Sequence, residues 1–336
     1  MTSHQQPLPT PRGPWSQALI EALGRAPHAL VDRPALPPDP RTDDDFQLAL
    51  HVAYELHYGS FDGVADEWEW HPALMAYTAT LEAAFERALR ADADPPSGSV
   101  DVREALPRLI REVHGPSLSS YMLESGTIRE VREFAVHRSA YQLKEADPHT
   151  WAIPRLAGGP KAALVTIQSD EYGGGVEQEM HSNLFAVTMQ TIGLDPTYGA
   201  YLDRLPGVTL ATGNLVTMFG LHRRLRGALV GHLAVFEMTS VIPMARYSQA
   251  LRRLGVASAA RRFYDVHVEA DAHHEVVALH DLAVAFARQE PDLAGDILFG
   301  ASALMDVETR FAGHLLSAWQ SGRSTLLGDE VLAPTG

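Results

Sequence analysis

The chain has 336 residues, 46% of them hydrophobic, a formal charge of −15 and no cysteine. That length and apolar content suffice for a sizeable core, whereas the acidic balance argues against nucleic acid or an anionic membrane as partner, since both are met by clustered Lys and Arg. Without cysteine there is no disulfide, thiolate metal site or cysteine nucleophile, so any metal must be held by nitrogen and oxygen.

Residues 1–42 are dense in proline (PLPTPRGP, then RPALPPDPRT), which blocks regular helix. They read as a weakly ordered arm with a short helix at 15–23. The start, MTSHQQPLPTPRGPW, lacks a basic segment followed by an apolar one, and no stretch approaches eighteen uninterrupted apolar residues; a cytoplasmic protein is expected. From Asp43 the segments FQLALHVAYELHY, HPALMAYTATLEAAFERALRA and VREALPRLIREVHG repeat at three- and four-residue steps, the period of amphipathic helices. ADADPPSGSVD at 91–101 reads as a linker. Helices resume over 127–147, break at DPHTWAIPRLAGGPK, continue in KAALVTIQSDEY, break again at GGG (173–175) and return in VEQEMHSNLFAVTMQTIGL. A pair over about 209–240, a long helix over about 258–288 and an amphipathic one over 291–321 complete the chain. No alternating strand run, repeat or phosphate-loop spacing competes, so the class is all-α.

HVEADAHH at 267–274 carries three histidines and two acids in a helical stretch. At about 100° per residue, His267, Asp271 and His274 fall within a stripe roughly 60° wide, while Glu269 and His273 point elsewhere. Alone, the triplet also suits a solvated stripe. Glu237 lies among small and apolar neighbours in GALVGHLAVFEMTS, a costly place for a carboxylate unless it is paired or bound to metal; an arginine partner would serve as well. Glu145 ends a helix, where a negative charge invites a compensating cation, unless it is a surface acid beside Lys144. Ten residues of unbroken helix would hold Glu171 and His181 about 15 Å apart, so both reach one cluster only if the glycines bend the chain. Glu177, four residues before His181, and Asp170 compete for that role.

On YELHY, QLKEADPHTWAIPRL, IQSDEYGGG with its downstream EMH, LHRRLRGALVGHLAVFEMTS and FYDVHVEADAHHE, the sequence resembles the haem-oxygenase-like diiron oxidase and oxygenase superfamily, the iron-containing redox enzymes, from about residue 45 to 320. It is most similar to the N-oxygenase branch. The resemblance implies a haem-oxygenase-like helical bundle with its core over 126–325 and a tail over 326–336. Helices over 43–125 would then cover the site or mediate a homodimer. It implies the ligand set Glu145, Glu171, His181, Glu237, His267, Asp271 and His274, two Fe(2+) per chain, O2 as co-substrate and an external electron donor. The chemistry agrees: four carboxylates balance two divalent ions, and an oxygen and nitrogen set suits iron or manganese in a helical bundle.

The leading expectation is N-oxygenation of an amine or amino-acid-derived substrate in specialised biosynthesis, through a peroxo-diiron intermediate. The alternatives are oxidative C–C cleavage or decarboxylation of an amino or fatty acid, and a non-catalytic metal-binding helical protein. Arg138, seven residues before Glu145, and Arg246, beyond Glu237, are candidate anchors for a substrate carboxylate, with structural salt bridges as the other reading. Tyr141 and Tyr172 are candidates to hydrogen-bond the ligands. His57 has no ligand-spaced partner and reads as structural.

Overall fold

The structure, a computed structural model, describes residues 6–30, 33–93, 100–113 and 115–328. Its helices are α1 (Pro14–Leu23), α2 (Asp44–Glu55), α3 (Pro72–Asp92), α4 (Val102–Glu112), α5 (Leu118–Glu124), α6 (Ile128–Gln142), α7 (Asp147–Thr150), α8 (Gly158–Glu171), α9 (His181–Thr191), α10 (Gly207–Leu221), α11 (Arg226–Arg253), α12 (Arg262–Val276), α13 (Ala285–Gln289) and α14 (Ala294–Gln320). Among the described residues there is no strand, only an isolated bridge between Gln6 and Phe61. The bundle is all-α, as its periodicity requires.

α11 is the central helix, packed against α14, α12, α5 and α10. By length and composition it could cross a membrane; here its apolar residues from Ala228 to Val235 are core. Glycines set its approach to α14: a Cβ on Gly231 would lie 1.8 Å from the Ile297 carbonyl oxygen, and one on Gly300 would lie 1.9 Å from that of Ala228. Gly231→Ala must therefore push the two helices apart, and a loss of about 1–3 kcal/mol is expected from overpacking, measured by chemical denaturation.

The proline-rich segment departs from the expected weakly ordered arm over its described part. Trp15 is fully buried, its indole donates to the Ala35 carbonyl at 3.0 Å, and the Asp45 carboxylate accepts from the amides of Trp15 (2.8 Å) and Ser16 (2.7 Å) at the start of α1. Proline blocks interior helix but leaves such side-chain docking intact. Residues 1–5 and 31–32 of that segment, 94–99 of the expected linker and 329–336 of the tail lie outside the described residues.

The other differences are at helix ends. α6 begins at a reciprocal Thr127–Glu130 cap and stops at Gln142, so Glu145 stands on the turn that follows. The helix pair expected over 209–240 is α10 and α11, the second running on to Arg253. The long helix after 258 is α12 followed by a π-helical stretch, Val277–Val284, and α13.

Candidate metal centre

α12 presents His267, Asp271 and His274 to the interior and leaves Glu269 and His273 exposed, the split that a 100° step dictates. Facing them are Glu237 from α11, Glu171 from the last turn of α8, His181 from the first turn of α9 and Glu145. All seven are buried. Donor atoms of Glu145, Glu171, His181 and His267 lie within 4.8 Å of one another, and so do those of Glu171, Glu237, Asp271 and His274. Glu171 belongs to both groups, so its carboxylate lies between two buried tetrads.

The glycines make this possible. Gly173, Gly174 and Gly175 have φ of +61°, +60° and +85°, a left-handed run that other residues resist. A Cβ on Gly173 would lie 2.5 Å from the Glu179 carbonyl carbon. The tight reversal brings His181 Nδ1 within 2.7 Å of Glu171 Oε2. Glu177, on the exposed side of the reversal, joins neither tetrad, and the half-exposed Asp170 takes a different place.

Hydrogen bonds orient the imidazoles. His267 Nδ1 donates to the Phe263 carbonyl one turn back (2.7 Å), which turns Nε2 inward toward Glu145 (3.8 Å) and into a hydrogen bond with His181 Nδ1 (3.1 Å). His274 Nε2 donates to Asp170 (2.9 Å), and Nδ1 faces Glu237 (3.3 Å) and Asp271 (3.5 Å). A carboxylate or carbonyl on the outer nitrogen is the usual way to fix a ligating histidine. Two further supports escaped the sequence reading. Ser240 donates to Asp271 Oδ2 (2.5 Å), and the Gln142 amide, with its nitrogen turned toward Glu145 as its surroundings require, donates to that carboxylate (2.9 and 3.2 Å). The signal for Ser240 was helical, since it stands three residues after Glu237 on α11; Gln142 stands three residues before Glu145, across the end of α6.

Glu171 Oε2, Asp271 Oδ1 and His274 Nδ1 are buried and crowded by other donor atoms, yet none is in an aligned hydrogen bond, an expensive condition that a shared cation would relieve. Burial, then the surrounding carboxylates, pushes Glu171 up to about 7 and Glu237 to about 8. Burial works against charge on His267 and His274, but the adjacent carboxylates outweigh it and raise them to about 10 and about 11. His181 is lowered to about 4 by burial and by His267. Four carboxylates and three imidazoles forced together in this way fit two divalent cations of the iron or manganese kind.

A cavity of about 360 Å³ adjoins the tetrads, with Gln142 and Ser240 in its wall. Phe134, Val235, Phe236 and Met244 make much of the rest, and Arg138 and Glu308 also line it. Arg138 is not a free carboxylate anchor: it makes a two-point ion pair with Glu308 (2.8 and 2.7 Å) and its guanidinium lies over Phe311. Arg246 lies outside the cavity lining, its guanidinium 3.4 Å from Ser119 Oγ. Neither tyrosine hydrogen-bonds to any of the seven. Tyr141 stands 3.5 Å from His149, itself paired with His232, while Tyr172 donates to Asp147 (2.7 Å) and meets Thr150 (2.9 Å). His57 pairs with Glu69 and the ring of Trp70, away from the tetrads.

Residues 132–309 match the family of iron-containing redox enzymes. A nitrosourea synthase from Streptomyces achromogenes subsp. streptozoticus is 26% identical over 146 residues, which cover 44% of this chain and 31% of that protein's length. The family match takes in more than half of the chain and all seven residues of the two tetrads. This chain belongs to the iron-containing redox enzyme family and has its all-α haem-oxygenase-like bundle.

Proposed function

We propose that the two tetrads hold two Fe(2+) per chain and that the protein uses O2 to N-oxygenate an amine or amino-acid-derived substrate in specialised biosynthesis, with electrons from an external donor, as a cytoplasmic homodimer. The carrying observation is the Glu171 carboxylate placed between two complete, buried O/N donor sets. When bound, the ferrous pair supplies the reducing power that activates O2. The similarity to a nitrosourea synthase favours nitrogen as the oxygen acceptor.

The chain's own groups have separate tasks. Asp170 and the Phe263 carbonyl hold protons on the outer nitrogens of His274 and His267, keeping the inner nitrogens free for metal. Ser240 and Gln142 fix the carboxylates of Asp271 and Glu145 at the cavity wall, while the surrounding aromatic and aliphatic side chains exclude water. Arg138 and Glu308 neutralise each other in that wall. A ligand with only a carboxylate would take Arg138 and strand the glutamate; a ligand with both a carboxylate and an amine satisfies both. This favours an amino acid over a fatty acid.

Ferrous-loaded protein exposed to O2 with a library of amines and amino acids tests the reaction. A product heavier by one oxygen on nitrogen supports it; carbon dioxide release or a shortened carbon chain would replace it with oxidative C–C cleavage, and no turnover of any substrate would favour a metal-binding protein. Asp170→Asn and Ser240→Ala are each expected to weaken metal binding about 10-fold, the usual scale for groups that orient ligands, read by competition with a chromophoric chelator.

A further inference from the structure

Glu145 is the one candidate ligand outside a helix, and its turn is pinned from several sides. Gln168 donates to the Ala146 carbonyl (3.0 Å) and Tyr172 to Asp147 (2.7 Å), both from α8 or its end. The opposite side is held by Lys144. That residue, a natural surface type in the sequence, is buried; its ammonium pairs with Glu55 of α2 and lies 4.3 Å from the centre of the Tyr58 ring and 5.5 Å from that of Tyr198. Glu55 is itself inaccessible to solvent and also receives Gln6 (3.4 Å), with His51 at 3.9 Å. Gln6 is seated against Gly199, where a Cβ would lie 1.8 Å from its Oε1.

A buried lysine and a buried glutamate on elements 89 residues apart cost desolvation that an apolar pair would avoid. Their orientation explains their use. A side chain at 144 directed toward α2 leaves the next one, at 145, directed toward α12, and the ion pair fixes the backbone between them.

We propose that Lys144 and Glu55 are positioning residues for Glu145, so that α2 and the segment around Gln6 help to form the tetrad of Glu145, Glu171, His181 and His267. The other tetrad, on α8, α11 and α12, does not depend on them. This rests on the metal-binding reading of the two tetrads.

Cobalt(II) titration of the full chain, followed in the visible absorption of the bound ion, tests it. The wild-type protein is expected to take up two ions; uptake of fewer would overturn the metal reading and the present proposal with it. With two ions bound by wild type, Lys144→Met and Glu55→Gln should each weaken one binding step about 10-fold or more and leave the other unchanged. The double variant should lose no more than the worse single. Lys144→Arg, which restores the charge, should recover part of the loss. Both steps unchanged in Lys144→Met and Glu55→Gln, or both weakened equally with a lowered melting temperature, would overturn the proposal; the second result would mark the pair as a general structural staple.

Discussion

Replacing Glu171 by Ala is expected to remove both metal positions at once, weakening each by more than the 10–100-fold, roughly, that loss of an orienting group costs. Its carboxylate is the member common to the two tetrads, and no other acid in the described structure is placed to take over. Asp170 is the nearest by sequence, but it is committed to the far side of His274. Glu177→Ala should leave both metals in place, because that side chain lies in solvent beyond the glycine reversal. His181→Ala and Asp271→Ala, each in a single tetrad, should lose one position preferentially. Isothermal titration with Mn(2+), which binds without oxidation, separates these cases. Retention of two ions by the Glu171 variant would contradict the shared-carboxylate arrangement.

Metal loading should also stabilise the protein, and more so at higher pH. The metal-free site holds Glu171 and Glu237 above their ordinary range, at about 7 and about 8. A carboxyl raised in the folded state binds more protons there than in the unfolded chain, so its effect on stability grows less favourable as pH rises from the unfolded value through the folded one. The raised His267 and His274 contribute stability below their unfolded value near 6.5 that is lost as pH climbs toward about 10 and 11. Both kinds of group make the metal-free protein less stable with rising pH. A divalent ion must displace the same protons, so its affinity rises in the same direction. At a hundredfold excess over its dissociation constant each ion adds about 2.7 kcal/mol. The rise in melting temperature on adding Mn(2+) is therefore expected to increase between pH 6 and 8, with proton release on binding. A rise independent of pH would contradict the protonation states assigned to the site.

The candidate centre was legible where it followed helical period. His267, Asp271 and His274 share a face because four- and three-residue steps require it, and Glu237 is conspicuous among apolar neighbours. The glycine reversal was legible as a need, since Glu171 and His181 could not meet on a straight helix. What was illegible depended on elements distant in sequence. Asp170 meets His274 across 104 residues and Arg138 meets Glu308 across 170, so from sequence the one competes as a ligand and the other stays open between a carboxylate anchor and a structural salt bridge. Lys144 has the composition of a surface residue and is buried only because α2 supplies Glu55. Trp15 and Asp45 likewise tie down a segment whose prolines suggested weak order.

The central claim is a two-ion centre, and iron content tests it most directly. The chain is loaded anaerobically with excess ferrous ion, freed of unbound metal and analysed for iron per polypeptide. Two complete tetrads joined by Glu171 predict a content approaching two, falling sharply in Glu171→Ala and unchanged in Glu177→Ala. Less than one iron per chain, with no gain on loading, would contradict the account.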